Sequence, residues 1–192
     1  NGNTIGYVFK GWYVDDGEYN FEALVSTDLE LTAKFEKISK MRFIEDWIDT
    51  FGGEVFDAEK VYEKIQLPKR ATKGSAGYDF FSPLTFTLEP GETIKVPTGI
   101  RAEIAEGWVL MIFPRSGLGF KYRLQLNNTV GIIDSDYFYS DNEGHIFAKV
   151  TNDSNEGKTV ELKKGTGFMQ GIFIEYGITM DDDATEKRNG GF

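Results

Sequence analysis

The chain has 192 residues, of which 40% are hydrophobic and 27% charged, a composition typical of soluble globular proteins and unlike that of disordered ones. A formal net charge of −10 argues against a broad nucleic-acid surface, because binding a phosphate backbone needs clustered lysine and arginine. The absence of cysteine excludes disulfides and cysteine-ligated zinc, and no apolar run approaches the roughly 18 residues that predict a membrane span.

Residues 1–38 are predicted to form a small β module. Near its end, apolar residues alternate with polar ones, as in a half-buried strand: Leu29, Leu31, Ala33 and Phe35. The F-x-G-W-Y pattern at Phe9–Tyr13, followed by L-x-L-x-A-K-F at Leu29–Phe35, resembles the second half of the Listeria–Bacteroides repeat, a β-grasp module of bacterial surface proteins. The resemblance implies an interaction or spacer module with an unidentified protein partner. The alternative is the aromatic core of an ordinary β-hairpin.

Residues 39–54 are predicted to form a short linking helix. Apolar residues recur there at helical spacing, opposite an acidic face: Phe43, Ile44, Trp47, Ile48 and Phe51. The pair Gly52-Gly53 supplies a left-handed stop. We expect this amphipathic helix to dock the first module on the second, and its acidic face argues against a membrane surface.

From residue 55 onward the sequence is predicted to be almost entirely strand and turn. Short apolar or alternating segments, separated by regular turn signals, are found at Val61–Ile65, Leu84–Leu88, Ile94–Val96, Ile100–Ile104, Trp108–Phe113, Ile146–Val150, Val160–Leu162 and Gly171–Tyr176. Such a series predicts a β sandwich or jelly roll. From about residue 178 the composition becomes acidic and then glycine-rich, which predicts an arm.

Arg115, Ser116 and Gly117 directly follow the apolar strand that ends at Phe113. At a strand exit the backbone amides are free, Ser116 adds a hydroxyl, and Arg115 adds a fixed positive charge with planar donors. Glycine lets a ligand approach the backbone closely. The segment therefore suits an anion such as phosphate. The other interpretation is a glycine-rich turn with a surface arginine.

Asp134 and Asp136 lie two residues apart in G-I-I-D-S-D-Y and would share a face of a strand. They can be a metal-chelating pair, a general base with a structural acceptor, or part of a polar β turn. Tyr137 beside them is suited to be the aromatic wall of a sugar or base pocket. The single histidine, His145, follows a glycine and precedes a strand, and we expect it at the surface.

Three further segments carry polar residues of interest. Asp79 stands among small and aromatic residues in G-S-A-G-Y-D-F-F, and Gln170 stands at a turn-to-strand junction. At the end of the chain, Arg188 is followed by two glycines and Phe192.

Taken in order, these segments resemble the trimeric dUTPase family, the deoxyuridine triphosphate nucleotidohydrolases, over about residues 55–192. Five motifs carry the resemblance: SAGYD, PRSGLG, N-x-x-G-x-I-D-x-D-Y from Asn128 to Tyr137, the Gln170 segment, and RNGGF. Five motifs in order are far more specific than any single one. The resemblance implies a mainly β, dUTPase-like β-clip or jelly-roll domain. It also implies a homotrimer with active sites at the subunit interfaces.

The resemblance further implies hydrolysis of dUTP to dUMP and pyrophosphate with Mg²⁺, and a role for each matching residue. Asp134 is the general base that activates water, and Asp79 orients water on the magnesium ion. The phosphates are held by Arg115, Ser116, Gly117, Gln170 and Arg188. The base and sugar are held by Asn128, Gly131, Ile133, Tyr137 and Phe192.

This chain departs from the family pattern in three places. The fourth motif has Gly167, Phe168 and Met169 where an Arg and an Ala usually precede the glutamine, Phe138–Glu143 is inserted after the third motif, and the fifth motif stops at Phe192. The alternative functions are a dCTP deaminase-type relative and a dUTPase-fold protein acting as a protein-binding or regulatory module. We expect a cytoplasmic enzyme, because dUTP is found there and no export signal is visible.

Overall fold

The computed structural model describes residues 32–191, together with the backbone of two short strands, β1 (Tyr13–Val14) and β2 (Gly17–Glu18). Contacts divide the chain into two units, Asn1–Glu30 and Leu31–Phe192. Within the first unit, β1 and β2 pair in antiparallel fashion. Most of the residues on which the Listeria–Bacteroides resemblance depends, Phe9–Trp12 among them, lie outside the described part.

The first strand of the second unit, β3 (Ala33–Lys37), pairs in antiparallel fashion with β8 (Ile100–Ile104). Phe35 of β3 packs against Tyr78, Phe80 and Phe173, with ring centroids 5.5, 5.5 and 5.6 Å away. The alternation of apolar and polar residues at Ala33 and Phe35 thus belongs to a strand that packs within the second unit. Contacts divide the chain after Glu30, whereas the sequence predicts that the first module ends at residue 38.

Two helices follow β3. Helix α1 (Lys40–Phe51) begins where the Ser39 hydroxyl accepts a hydrogen bond from the Arg42 amide, and it ends at Gly52, whose φ is 70°. Helix α2 (Val55–Glu63) is a correction, because we predicted a strand at Val61–Ile65 and no second helix. Tyr62 of α2 packs on Phe43 of α1 at 5.6 Å and donates a hydrogen bond to the Ile38 carbonyl, so this packing favours the helix.

The rest of the chain is mainly β, as predicted. Its strands are β4 (Lys69–Arg70), β5 (Tyr78–Phe81), β6 (Phe86–Leu88), β7 (Thr93–Pro97), β9 (Trp108–Pro114), β10 (Leu124–Leu126), β11 (Gly131–Ile133), β12 (Phe147–Asn152), β13 (Val160–Leu162) and β14 (Gly167–Glu175). One short helix, α3 (Ser116–Tyr122), follows β9. The main sheet has the order β11-β9-β14-β5-β4, a second sheet has the order β10-β12-β7, and β13-β6 and β3-β8 form two-stranded ribbons.

Within residues 32–191 a hydrophobic cluster joins these sheets. Its most deeply buried members come from the inward-facing positions of the strands and of the segments beside them: Phe80, Val96, Leu110, Leu124, Ile133, Ile146, Val150, Val160 and Phe168. Residues 176–191 follow β14 without forming a helix or strand. Among the described residues, none of the helices has the length and apolar character that crossing a membrane requires. The packed sheets provide a rigid support for the polar residues at their edges.

Candidate active site

The first cluster of predicted site residues lies where three neighbouring strands of the main sheet meet. Asp79 on β5 is the register partner of Gln170 on β14, and Gln170 is in turn the partner of Phe113 on β9. Arg115 and Ser116 follow directly after β9. These strands bring Asp79, Arg115, Ser116 and Gln170 to the wall of one open cavity of about 410 Å³.

Asp79 and Arg115 form an ion pair inside this cavity. The Arg115 Nε atom lies 3.3 Å from Asp79 Oδ1, and the two side chains are 43% and 14% exposed, respectively. Gly167 leaves room for the pair, because a Cβ atom there would stand 3.1 Å from Arg115 Nη1 and 3.5 Å from Asp79 Cβ. The glycine in the divergent fourth motif therefore lets the arginine of the second motif lie across β14.

Gln170 is held against the chain on two sides. Its Nε2 atom donates to the Pro114 carbonyl at 3.4 Å. Its Oε1 atom lies so close to Gly77 that a Cβ atom at position 77 would be only 2.6 Å away. The glycine of the first motif thus creates the space that the amide of the fourth motif fills.

Ser116 and Gly117 begin helix α3, which corrects the alternative interpretation of this segment as a glycine-rich turn. Arg115 is the N-cap residue, with an extended backbone. A Cβ atom at Gly117 would meet no neighbour within 4 Å, so packing within the chain does not require this glycine. The residue remains available for a ligand that approaches the backbone.

The second cluster lies beyond the end of β11. A 3-10 helix, Ser135–Tyr139, begins directly after Asp134 and contains Asp136. The two carboxylates therefore do not share a face of a strand, which differs from the sequence-based expectation. Both nevertheless face one cation, because Arg188 forms ion pairs with Asp134 and, at 2.9 Å through Nε, with Asp136. The C-terminal arm therefore lies against the predicted general base of its own chain.

Next to these carboxylates is a smaller cavity of about 210 Å³, lined by Asn128, Val130, Ile132, Tyr137, Arg188 and Gly191. Gly131 and Ile133, the other predicted base-binding residues, pair with Ile112 and Leu110 of β9, and the Ile133 side chain is buried in the core. On this hairpin the residues alternate, with Val130 and Ile132 facing the cavity. Phe192 lies outside the described residues.

Tyr137 forms the inner wall of the smaller cavity. Its ring is 2% exposed, and its hydroxyl donates to the His145 carbonyl at 2.6 Å and accepts from Asn142 Nδ2 at 2.7 Å. Burial raises the pKa of this hydroxyl to about 12, against the smaller opposing effect of the Asn142 hydrogen bond. Tyr137 therefore stays protonated and holds a fixed orientation.

His145 is a correction to the sequence analysis, because its side chain is completely buried and not at the surface. Its Nδ1 atom lies 2.6 Å from Asp46 Oδ2 on α1, and its Nε2 atom accepts a hydrogen bond from the Gly99 amide at 2.8 Å. The residues next to His145 in the sequence do not indicate that its partner, Asp46, lies 99 residues earlier in the chain.

The described part of the chain thus presents two separate groups of site residues. Asp79, Arg115, Ser116 and Gln170 line the first cavity, whereas Asp134 lines a third one, of about 660 Å³, together with Asp136 and Arg188. Within residues 32–191 the first cavity shares no lining residue with the other two, whereas Arg188 lines both the second and the third.

Comparison with known proteins supplies the family. The model of the dUTPase family matches residues 63–192. A deoxyuridine 5'-triphosphate nucleotidohydrolase of Lactococcus lactis is 41% identical over 131 residues, which cover 67% of this chain and 86% of that relative. One of Escherichia coli is 38% identical over 141 residues, which cover 69% of this chain and 89% of the relative.

Solved structures agree. The crystal structure of dUTPase from Streptococcus mutans superposes with a TM-score of 0.56 at 35% identity, over 76% of this chain and 97% of that one. A dUTPase from phage phi11 of S. aureus has the same TM-score of 0.56 at 21% identity, which bears on the fold alone. Because the family model matches more than half of the chain, and curated relatives are matched over most of their length, the chain belongs to the dUTPase family, as the five ordered motifs predicted.

Proposed function

We propose that the chain hydrolyses dUTP to dUMP and pyrophosphate by attack of water on the α-phosphorus, with Asp134 as the general base. The enzyme class, a dUTP diphosphatase, is supported by the family match and by the curated relatives of that name. The observation that carries the proposal is the convergence of Asp79, Arg115, Ser116 and Gln170 on one open cavity. General-base catalysis typically contributes 10²–10⁴-fold to the rate, so Asp134→Asn should lower kcat by about that factor.

The first cavity suits a triphosphate. Arg115 offers planar guanidinium donors, Ser116 a hydroxyl and Gln170 an amide, while Gly117 exposes its backbone. Cleavage of a phosphoanhydride depends mainly on positioning and on neutralising charge, and each well-aimed donor is typically worth about 3–4 kcal/mol in the transition state. Because the chain carries a net charge of −10, this local group of donors must act against a repulsive overall field.

We propose Mg²⁺ as the cofactor, bound mainly by the triphosphate. Within residues 32–191 there is no group of three or more His, Cys, Asp or Glu side chains arranged to hold a metal. One carboxylate, Asp79, lies at the wall of the phosphate cavity. This donor set fits Mg²⁺, which commonly keeps several waters and binds through one or two carboxylates plus substrate phosphates. The ion would neutralise phosphate charge, while Asp79 would orient one of its waters.

The base and sugar are proposed to bind in the smaller cavity, with Asn128 and the backbone of Gly131 and Ile133 reading uracil and Tyr137 packing on the deoxyribose. A site built for one pattern of donors and acceptors rejects another base because its polar groups would be left unpaired. We propose that Phe192 and Arg188 close the site. A polyphosphate carries more negative charge than the two carboxylates that Arg188 now contacts, so it should draw the arginine toward itself.

We propose that the active enzyme is a homotrimer whose sites combine residues of different chains. The support is the separation of the two groups: the phosphate donors line one cavity and Asp134 lines another. Ser116→Ala and Asp134→Asn chains should each be nearly inactive alone, and refolding them as a mixture should restore activity. A mixture that stays as inactive as its components, although it forms mixed oligomers, would contradict this arrangement.

The reaction is tested with a panel of dUTP, UTP, dCTP and dTTP, each with and without Mg²⁺, by measuring pyrophosphate release. We expect turnover of dUTP alone, and only with the metal. Turnover of dUTP that is equally fast in Asp134→Asn would refute the assigned base, and ammonia release from dCTP would favour a deaminase. Because dUTP is present in the cytoplasm, we propose that location, and cell fractionation tests it.

A further inference from the structure

A buried group of polar side chains connects helix α1 to the segment that follows the predicted base. Asp46 on α1 accepts from Arg42 Nη2 at 2.7 Å, from Arg42 Nε at 3.0 Å and from His145 at 2.6 Å. Asp46 and Arg42 precede residue 63, where the match to the family begins. The family match therefore covers His145 but neither Asp46 nor Arg42.

The hydrogen bonds fix the state of His145. Its Nε2 atom accepts from the Gly99 amide, so the ring proton is on Nδ1 and is donated to Asp46. Burial lowers the pKa of His145 in spite of the neighbouring carboxylate. Burial alone would raise the pKa of Asp46, but the hydrogen bonds from His145 and Arg42 outweigh it and hold this pKa below its ordinary value. The group consists of an ionised aspartate, an arginine and a neutral histidine.

His145 is linked to Asp134 by a short series of contacts. Its carbonyl accepts from the Tyr137 hydroxyl at 2.6 Å, and the Tyr137 amide donates to the Asp134 carbonyl at 3.2 Å. Asn142 bridges the same segment, since its Nδ2 donates to the Tyr137 hydroxyl at 2.7 Å. A shift of His145 would therefore move Tyr137 and the start of the 3-10 helix that Asp134 precedes.

The segment Ser140–His145 has a second attachment to α1. The Glu143 carboxylate accepts from both the amide and the hydroxyl of Ser39, each at 2.7 Å. Glu143 and Gly144 adopt left-handed backbone conformations, with φ of 59° and 71°. For a non-glycine residue such a conformation persists only where the surroundings enforce it. At Gly144 a Cβ atom would stand 2.8 Å from the Phe138 Cα atom, so the segment is tightly packed on the 3-10 helix.

We propose that Asp46 and His145, supported by Glu143, are positioning residues that hold Asp134 in its catalytic place. The inference rests on the proposed function, in which Asp134 activates water. In-line attack tolerates little misplacement, and a displacement of about 1 Å can lower a rate by about 10²-fold. The buried Asp46–His145 hydrogen bond ties this segment to the packed helix α1 and supplies the necessary rigidity, and Phe138–Glu143 connects it to the site.

The first test is NMR of the whole protein, which is simple to interpret because His145 is its only histidine. With ¹⁵N-labelled histidine we expect a neutral Nδ1–H tautomer at neutral pH, with a pKa below the ordinary histidine value. In Asp46→Asn the Nδ1 signal should change. An Nε2–H tautomer, or titration close to the ordinary histidine pKa, in the unmodified protein would overturn the proposal.

The second test is kinetic and compares Asp46→Asn with Asp49→Asn, an exposed aspartate on the same helix. At a temperature where urea curves show both variants folded, Asp46→Asn should lower kcat for dUTP by about tenfold or more. Its KM should change less than its kcat, because the phosphate donors on β14 and α3 are untouched and only the sugar contact of Tyr137 shifts. Asp49→Asn should have the same kcat and KM as the unmodified protein. If Asp46 only stabilised the fold, Asp46→Asn would also have an unchanged kcat once it is folded.

Each outcome separates this inference from the proposed function. If the unmodified protein releases no pyrophosphate from dUTP, the proposed function fails. If it does so and Asp46→Asn has the same kcat, only the positioning role is overturned. Should Asp46→Asn not fold, Glu143→Ala replaces it, because it removes both hydrogen bonds from Ser39 and leaves Asp46 and His145 unchanged. It should lower kcat by about threefold at similar KM, and an unchanged kcat would overturn the proposal.

Discussion

The packing of Phe35 offers a direct test of where the catalytic unit begins. Its ring lies within 5.6 Å of three aromatic rings on β5 and β14, and the residue is partly buried. Replacing a fully buried phenylalanine with alanine costs about 3–5 kcal/mol, and each aromatic pair adds about 0.5–1.5 kcal/mol beyond its buried area. Because burial here is partial, we expect Phe35→Ala to lower the free energy of unfolding by about 2–4 kcal/mol.

The assay is urea unfolding followed by tryptophan fluorescence at a fixed protein concentration. Phe56→Ala is the matched control, since Phe56 is 64% exposed on α2 and should change the free energy of unfolding by about 0.5 kcal/mol or less. If the free energy of unfolding of Phe35→Ala falls by less than about 1 kcal/mol, or by no more than that of the control, β3 does not pack on the catalytic unit. The boundary between the two parts of the chain would then lie at residue 38, as the sequence predicts.

Three further outcomes are expected. Gly77→Ala should displace Gln170 and lower kcat/KM for dUTP by about tenfold, the equivalent of one hydrogen bond, whereas Gly74→Ala, with no neighbour within 4 Å of its added Cβ atom, should have no effect. Arg188→Gln should release the arm from its two carboxylates, so limited proteolysis should remove the arm faster, and an unchanged cleavage rate would argue against the contact. The pKa of His145 is lower in the folded protein than its ordinary 6.5, so as the pH falls the unfolded chain binds this proton before the folded protein does. The contribution of His145 to the free energy of unfolding should therefore be fully present above about pH 6.5 and decrease as the pH falls below it. Urea curves between about pH 5 and 8 should show this slope in the unmodified protein and lose it in His145→Gln.

The five short motifs were sufficient to predict the family, and the comparisons confirm it. Each motif depends on a few adjacent residues whose chemistry can be recognised without the fold. The strands Ile100–Ile104 and Val160–Leu162 have the predicted bounds, because alternation of apolar and polar residues is a local property that burial of one sheet face requires. For the same reason α1 could be predicted from its apolar spacing and its terminal glycines.

Contacts between distant residues could not be predicted in this way. Helix α2 has only nine residues and a mixed pattern, and its helical state depends on packing of Tyr62 against Phe43. His145 was expected at the surface because its sequence neighbours are a glycine and a strand, whereas it is completely buried and hydrogen-bonded to Asp46, 99 residues away.

By itself, then, the amino-acid sequence determined which chemical groups this protein has, in what order, and which of them follow directly after a strand. Only the tertiary structure decided which groups meet: Asp79 with Arg115, Arg188 with Asp134, and Asp46 with His145. The physical reason is that periodicity and turn chemistry act between near neighbours in the chain, whereas ion pairs and buried hydrogen bonds depend on how strands and helices pack after the chain has folded.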